Sequence, residues 1–310
     1  MTDAACSDQS AAVHEPMAGT APYALAWVAL EQNGPWGARA FTQSHLDPEV
    51  GRVIEDTAAQ HDVRPALIRR PGRHADPPDR DAPRHVIVAY TYPGRTWLLE
   101  GLLADPADLL RLDWAALRDG DQDAVRRSMP TLLPSERPHL LVCTNAKRDV
   151  CCAVKGRPVA LGAAAVHPDR VWEVTHTSGH RFAPTAVLLP AGTLHGRLDV
   201  AGAGELLRAA ERGATLIEGS RGRSTWPAAA QAADLAVREE EGVLDLDALE
   251  VVSHDPVGEG TWLTGLRHSD GRAWHVTVEA RESEDLVRAE SCGKALKPMA
   301  WFARVTDTAD

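Results

Sequence analysis

The chain lacks several things that would assign it quickly. No stretch approaches the ~20 consecutive apolar residues a membrane-crossing helix needs, so no membrane partner is expected. The opening residues, MTDAACSDQSAAVHEP, have neither the basic start nor the apolar core of a secretory signal. Positive charge is in deficit: 33 Lys and Arg stand against 44 Asp and Glu, a formal net charge of −11. A phosphate backbone demands a basic footprint, so nucleic acid is not an expected partner either. Cysteine is scarce, with five in 310 residues. An odd count with two adjacent thiols gives no even disulfide framework, so free or metal-bound thiols in a reducing cytoplasm are expected. No Cys-x-x-Cys is present, which weakens a thiol-dependent thioredoxin-like reductase.

A chain of 310 residues exceeds what one core fills, so several units are expected. Residues 1–20 are polar and small, read as a loosely ordered arm in which Cys6 is incidental. From residue 21 to 132 the pattern reads β-α-β-β-β-α. A short apolar run at 25–30 is followed by a helix opened by Asp47-Pro48. Strands at 66–68, 85–90 and 97–103 come next, then a helix opened by Asp105-Pro106 and running to 117. Residues 133–212 repeat that order: a strand at 140–143, a loop to 156, a helix from Pro158 to 167, a strand at 172–175, a hairpin about Pro190-Ala191-Gly192, and a last helix at 204–212. A helix crossing between strands, then a hairpin and a closing helix, suits a thioredoxin-like sandwich. Residues 213–310 open with a basic loop at 219–224 and read as a small α+β domain. The fold class is therefore α/β: two thioredoxin-like units and a C-terminal α+β module.

The distinctive chemistry is concentrated at 139–184. Cys143 ends a buried strand, Cys152 follows after eight residues, and His176 and His180 bracket Thr177-Ser178-Gly179. A single buried cysteine is ordinarily a small hydrophobe and a single histidine ordinarily polar surface. Two thiols and two imidazoles from two segments of one unit form a four-ligand set for a soft or borderline metal. Zinc accepts such a set, but finger motifs space their thiols two to four apart, so this is a poor finger. A 2Fe–2S cluster suits a wider cradle made of two loops. Histidine in place of thiolate raises its potential, and imidazole protonation makes that potential pH-dependent. Neither a carboxylate pair for glycoside hydrolysis nor a nucleophile–base arrangement accompanies these residues, so an electron carrier is favoured over a bond-making enzyme.

Cys143-x8-Cys152 with Arg148-Asp149 between, and His176-x3-His180 in HTSGHRFAPT, resemble the sucrase/ferredoxin-like family. The likeness extends to AGTAPYALAWVALEQNGPWG, LIRRPGR, GSRGRSTWP and the late SCG around Cys292. The resemblance implies a thioredoxin-like ferredoxin with one 2Fe–2S cluster, Cys143 and Cys152 on one iron and His176 and His180 on the other. Its partners would be an electron donor and an electron acceptor protein. Cys151, directly before Cys152, competes for the second thiolate position. Cys292 reads as a turn cysteine, Arg181 as a charge tuning the cluster or facing water, and Arg221 and Arg223 as solvated loop arginines. The loop at 33–37, equivalent to the cluster loop but without cysteine, reads as a partner surface.

Overall fold

The computed structural model describes residues 4–72 and 82–309, with side chains to residue 304. Most of the Pro/Arg/Asp-rich loop expected at 71–84 lies outside the described residues.

The N-terminal arm is not loose. Cys6–Ala12 forms helix α1, with Cys6, Ser7 and Ser10 buried. Beyond it, the Arg197 guanidinium donates to the Ser10 and Glu15 carbonyls at 3.2 and 2.9 Å, so the arm is tied down by charge-assisted bonds that composition alone does not reveal. Strand β1 (Ala26–Glu31) follows, then the single turn α2 (Ala40–Gln43) and helix α3 (Pro48–Gln60). α3 starts as its sequence predicts, with Asp47 accepting from the Glu49 and Val50 amides and proline in the first turn. Strands β2 (Val63–Arg69), β3 (Arg84–Tyr90) and β4 (Trp97–Leu103) come next. The single helix expected at 105–117 is instead a 3-10 turn, Pro106–Arg111, followed by α4 (Trp114–Asp119) and α5 (Gln122–Ser128). Asp105, Asp113 and Asp121 each accept a backbone N–H, and each such cap restarts the chain rather than continuing it. A two-residue strand β5 (Leu133–Pro134) ends this part.

Then come β6 (His139–Cys143), α6 (Val150–Val166), β7 (Val171–Val174), β8 (Ala186–Leu189), β9 (Thr193–His195) and α7 (Val200–Ala210). The second helix differs most from expectation. It begins on the Asp149 cap, whose carboxylate accepts from the Cys151 amide, and Pro158 lies inside it. The proline costs one intrahelical bond, while buried Val159, Ala160 and Ala163 keep the helix on the sheet. Cys151 and Cys152 therefore sit on a first helical turn, not in a loop. The basic segment read as a loop is strand β10 (Ser220–Arg223), paired with β9. Helix α8 (Ala228–Glu241) packs on the antiparallel strands β11 (Leu249–Gly258), β12 (Thr261–His268), β13 (Ala273–Ala289) and β14 (Leu296–Ala309).

Ten strands form one mixed sheet in the order β10-β9-β8-β6-β7-β2-β1-β3-β4-β5, and β11 to β14 form a separate four-stranded sheet. Within the large sheet, β1 pairs parallel with β2 and antiparallel with β3, as β6 does with β7 and β8. The repeated element order thus becomes a repeated strand order, β2-β1-β3-β4 beside β7-β6-β8-β9, in the thioredoxin-like manner. The halves join where β2 runs antiparallel to β7, Ile68 opposite Val174 and Arg69 opposite Glu173. Alternation then sorts the side chains. Val28 and Leu30 face the helices of the first half, and Leu140 and Val142 those of the second. Trp27, Leu98, Leu141, Trp172, Cys143 and Cys152 share one apolar layer contributed by both halves.

Candidate metal centre

The sequence-selected residues are brought together by three elements. Cys143 is the last residue of β6, Cys152 lies in the first turn of α6, and His176 and His180 follow β7. The two thiols are buried, at 1% and 0% exposure, while the two imidazoles are half-buried. The Cys152 Sγ lies 3.2 Å from the His180 Nδ1, and the two imidazole rings stack with centroids 4.9 Å apart. The helix can approach so closely because residue 156 is glycine: a Cβ there would fall 2.2 Å from the Cys143 carbonyl oxygen.

The thiols are electrostatically coupled. Hydrogen bonding from Cys152 holds Cys143 well below the ordinary thiol range against the opposing effect of burial, with His176 and His180 adding to the lowering. The hydrogen bond to Cys143, then burial, pushes Cys152 the other way. The two opposed shifts belong to the pair rather than to either thiol alone. Burial, then the neighbouring His176, lowers His180. The His176 Nδ1 is buried and finds no hydrogen-bond partner among the described residues, a costly state for a polar atom unless something else takes its lone pair. Donor chemistry and this orphaned nitrogen both fit a bound metal group.

The first half of the sheet supplies the wall behind the histidine loop. The Leu67 amide donates to the Thr175 hydroxyl at 3.1 Å, and Arg64 donates to the Ser178 hydroxyl at 3.1 Å. Arg221, read as a solvated loop residue, is fully buried. Its guanidinium donates to the Thr177 and Ser178 carbonyls at 3.3 and 3.1 Å and to Thr20, a set no loop-composition argument would reveal. Burial, with Arg181 and Arg64 nearby, pulls its pKa down to about 9. Gly179 has φ +66°, and a side chain there would meet that guanidinium at 2.5 Å. Arg223 is likewise buried and donates to the Thr91 and Leu246 carbonyls and to Asp247. Arg181 pairs with Glu15 at 2.8 Å. The loop at 33–37 packs inward, its Gly37 carbonyl accepting from the Asn145 amide group at 3.0 Å. A cavity of about 410 Å³ beside His176 is lined by Arg39, Phe41, Glu55, Arg64 and Arg148.

A second group of thiols lies close by. One helical step of about 100° separates neighbouring residues, so Cys151 points away from Cys152 and toward Cys6 and Cys292, at 3.5 and 3.1 Å. The Cys292 and Cys6 sulfurs are 3.5 Å apart, and the Asp149 carboxylate oxygens are 3.8 and 3.9 Å from Cys6. These four donors lie within 4.8 Å of one another and can hold a metal ion. Among the described residues no other set of three or more Cys, His, Asp or Glu donors is so tightly grouped. Cys143, Cys152, His176 and His180 thus do not form such a single-ion shell. Cys6 and Cys292, read as an incidental thiol and a turn cysteine, belong to this second group. They are too far apart in sequence for spacing to connect them.

No described helix is long and apolar enough to cross a membrane. Neither the curated proteins nor the solved structures offer a match to the chain. The sequence pattern of the sucrase/ferredoxin-like family matches residues 17–222, about two thirds of the chain and the span that carries the Cys143 and His176 loops, so the chain belongs to the sucrase/ferredoxin-like family.

Proposed function

We propose that the protein is a one-electron carrier whose 2Fe–2S cluster is held by Cys143 and Cys152 on one side and His176 and His180 on the other. The observation that supports the reading is the convergence of two buried thiols and two half-buried imidazoles from separate segments. Such a cluster supplies reversible uptake of a single electron. The chain's own residues then set the conditions. The sulfurs lie in the shared apolar layer, which excludes water from that side. The imidazoles are the outward edge, so a partner protein meets histidine first. Arg64 and Arg221 place buried positive charge behind the loop, favouring the more negative, reduced state. A potential that varies with pH follows from imidazole ligation. Donor and acceptor proteins in a reducing, cytoplasmic compartment complete the reading.

Anaerobic purification with iron, acid-labile sulfide and zinc analysis, followed by EPR after dithionite, tests it. Iron and sulfide in equal amounts and a reducible visible spectrum are expected. A colourless protein without sulfide, with zinc lost on Cys143→Ala, would instead establish a structural Cys2His2 zinc site.

A further inference from the structure

We propose that Cys6, Cys151, Cys292 and Asp149 form a second and separate metal site, a mononuclear zinc clasp that fastens both ends of the chain to the first turn of α6. The sulfur triangle has edges of 3.5, 3.1 and 3.5 Å. Tetrahedral zinc with Zn–S near 2.3 Å sets its sulfurs about 3.8 Å apart, so three thiolates reach one ion with small outward movements. A polynuclear cluster needs more widely spread donors than this. Asp149 is placed to be the fourth ligand. Its Oδ1 accepts from the Cys151 amide at 2.8 Å, and its Oδ2 accepts from the Ser291 hydroxyl and the Cys292 amide at 2.7 and 2.8 Å. A carboxylate offers about four lone-pair positions; three are taken, and the remaining one belongs to Oδ1, 3.9 Å from the Cys6 sulfur.

The surroundings are those of a built site. Ser7 donates to the Cys151 sulfur at 3.3 Å, and Cys6 and Cys151 are 1% and 2% exposed. A cavity of about 500 Å³ lined by Ala5, Cys6, Val150, Cys292 and Lys294 gives an ion a way in. As each S–Zn bond forms, its thiol proton passes to solvent, and no electron changes hands. The three sulfurs come from α1, from α6 and from the turn after β13, so one ion cross-links segments far apart in sequence. The ion also fixes the α6 turn in which Cys152 directly follows Cys151.

The test uses the full-length chain. Metal analysis should find about one zinc per chain, falling at least tenfold in both Cys6→Ser and Cys292→Ser while iron stays at the wild-type level. Cobalt(II) in place of zinc should give the intense visible bands of a tetrahedral thiolate site in the wild type and lose them in Cys292→Ser. Should either variant fail to fold, the wild type alone decides: its cobalt(II) form should show the sulfur-to-cobalt absorption of three thiolate ligands, and the weaker absorption of two thiolates with two imidazoles would overturn the proposal. Zinc absent from the wild type, zinc retained in both variants, or a Cys151–Cys292 disulfide in freshly purified protein would each overturn the proposal. Wild-type protein that carries the zinc but no iron would instead strike only the electron-carrier reading, on which this proposal does not rest.

Discussion

The two halves of the large sheet share a strand order and differ in what stands at one strand end. After β1 the chain turns through 32–37, where the Trp36 indole donates to the Gln32 carbonyl at 2.9 Å and lies 3.9 Å beneath the Arg69 guanidinium. After β6 it runs from Cys143 to the Asp149 cap and places Cys152 beside His180. The same geometry yields a packed aromatic in one half and a thiol–imidazole set in the other. Position comes from the strand order, and chemistry comes from the few residues the strand end presents. The halves are also not independent, because β2 and Arg64 of the first half support the histidine loop of the second.

The sharpest way to break this comparison is to alter matching positions. Cys143→Ala should abolish iron binding altogether, since a methyl group cannot replace a thiolate. Asn33→Ala, in the corresponding loop of the first half, should leave iron unchanged. Iron analysis of both decides it: iron retained by Cys143→Ala means the strand ends do not differ in the way proposed. Next in size is the seam. Arg69 donates to Glu173 at 3.0 and 2.8 Å, with side-chain exposures of 9% and 0%. Arg69→Ala takes the nearest positive charge from a buried carboxylate that keeps the Thr144 hydroxyl at 2.8 Å and Arg157 at 3.9 Å, and should cost about 3 kcal/mol in urea unfolding. A loss below about 1 kcal/mol, the worth of a surface pair, would show that the halves lean on each other through packing alone.

Much of this arrangement was legible in the chain and some was not, for physical reasons. Asp47-Pro48 announces α3 because cap and first turn are local devices, and the apolar runs at 25–30 and 140–143 announce β1 and β6, each to within one residue, because strands covered on both faces read as continuous apolar stretches. The start of α6 is hidden in the sequence: Pro158 imitates a helix opening, while the real signal, the Asp149 cap, stands in the segment that reads as a loop. Choosing between Cys151 and Cys152 required knowing that they occupy a helix, since only helical twist sends their sulfurs to different neighbours. Arg221 and Arg223 looked solvated because their acceptors are backbone carbonyls distant in sequence. Cys6 and Cys292 could not be linked at all, since spacing carries no information across a whole chain.

A finer probe of the difference between the strand ends is ligand exchange. His180→Cys should keep the cluster and lower its midpoint potential by on the order of 100 mV, because thiolate donates more negative charge than imidazole. The second half would then move toward an all-thiolate ferredoxin. Protein-film voltammetry reads the shift directly, and an unchanged potential would remove His180 from the ligand set.

The smallest expected effect concerns how the second half is wrapped. Glu15 is buried between Arg288, which donates at 3.0 and 2.7 Å, and Arg181, the neighbour of His180. Burial alone would raise its carboxyl, but hydrogen bonds from Arg288, with the charge and hydrogen bond of Arg181, together hold it below its ordinary value of 4.5. A carboxyl depressed in the folded state contributes stability that is present above its unfolded pKa and lost as pH falls below it, because the unfolded chain then binds the proton more readily. Acidification from neutrality through pH 4 should therefore loosen α1 from β13 and the histidine loop first. Amide hydrogen exchange, corrected for its intrinsic pH dependence, should show protection falling in α1 while β3 and β4 hold theirs. Equal loss in both would mean that the arm shares the stability of the whole sheet. Selective loss would show that the half with the thiol–imidazole set carries a detachable charged strap in addition to the framework it shares with its neighbour.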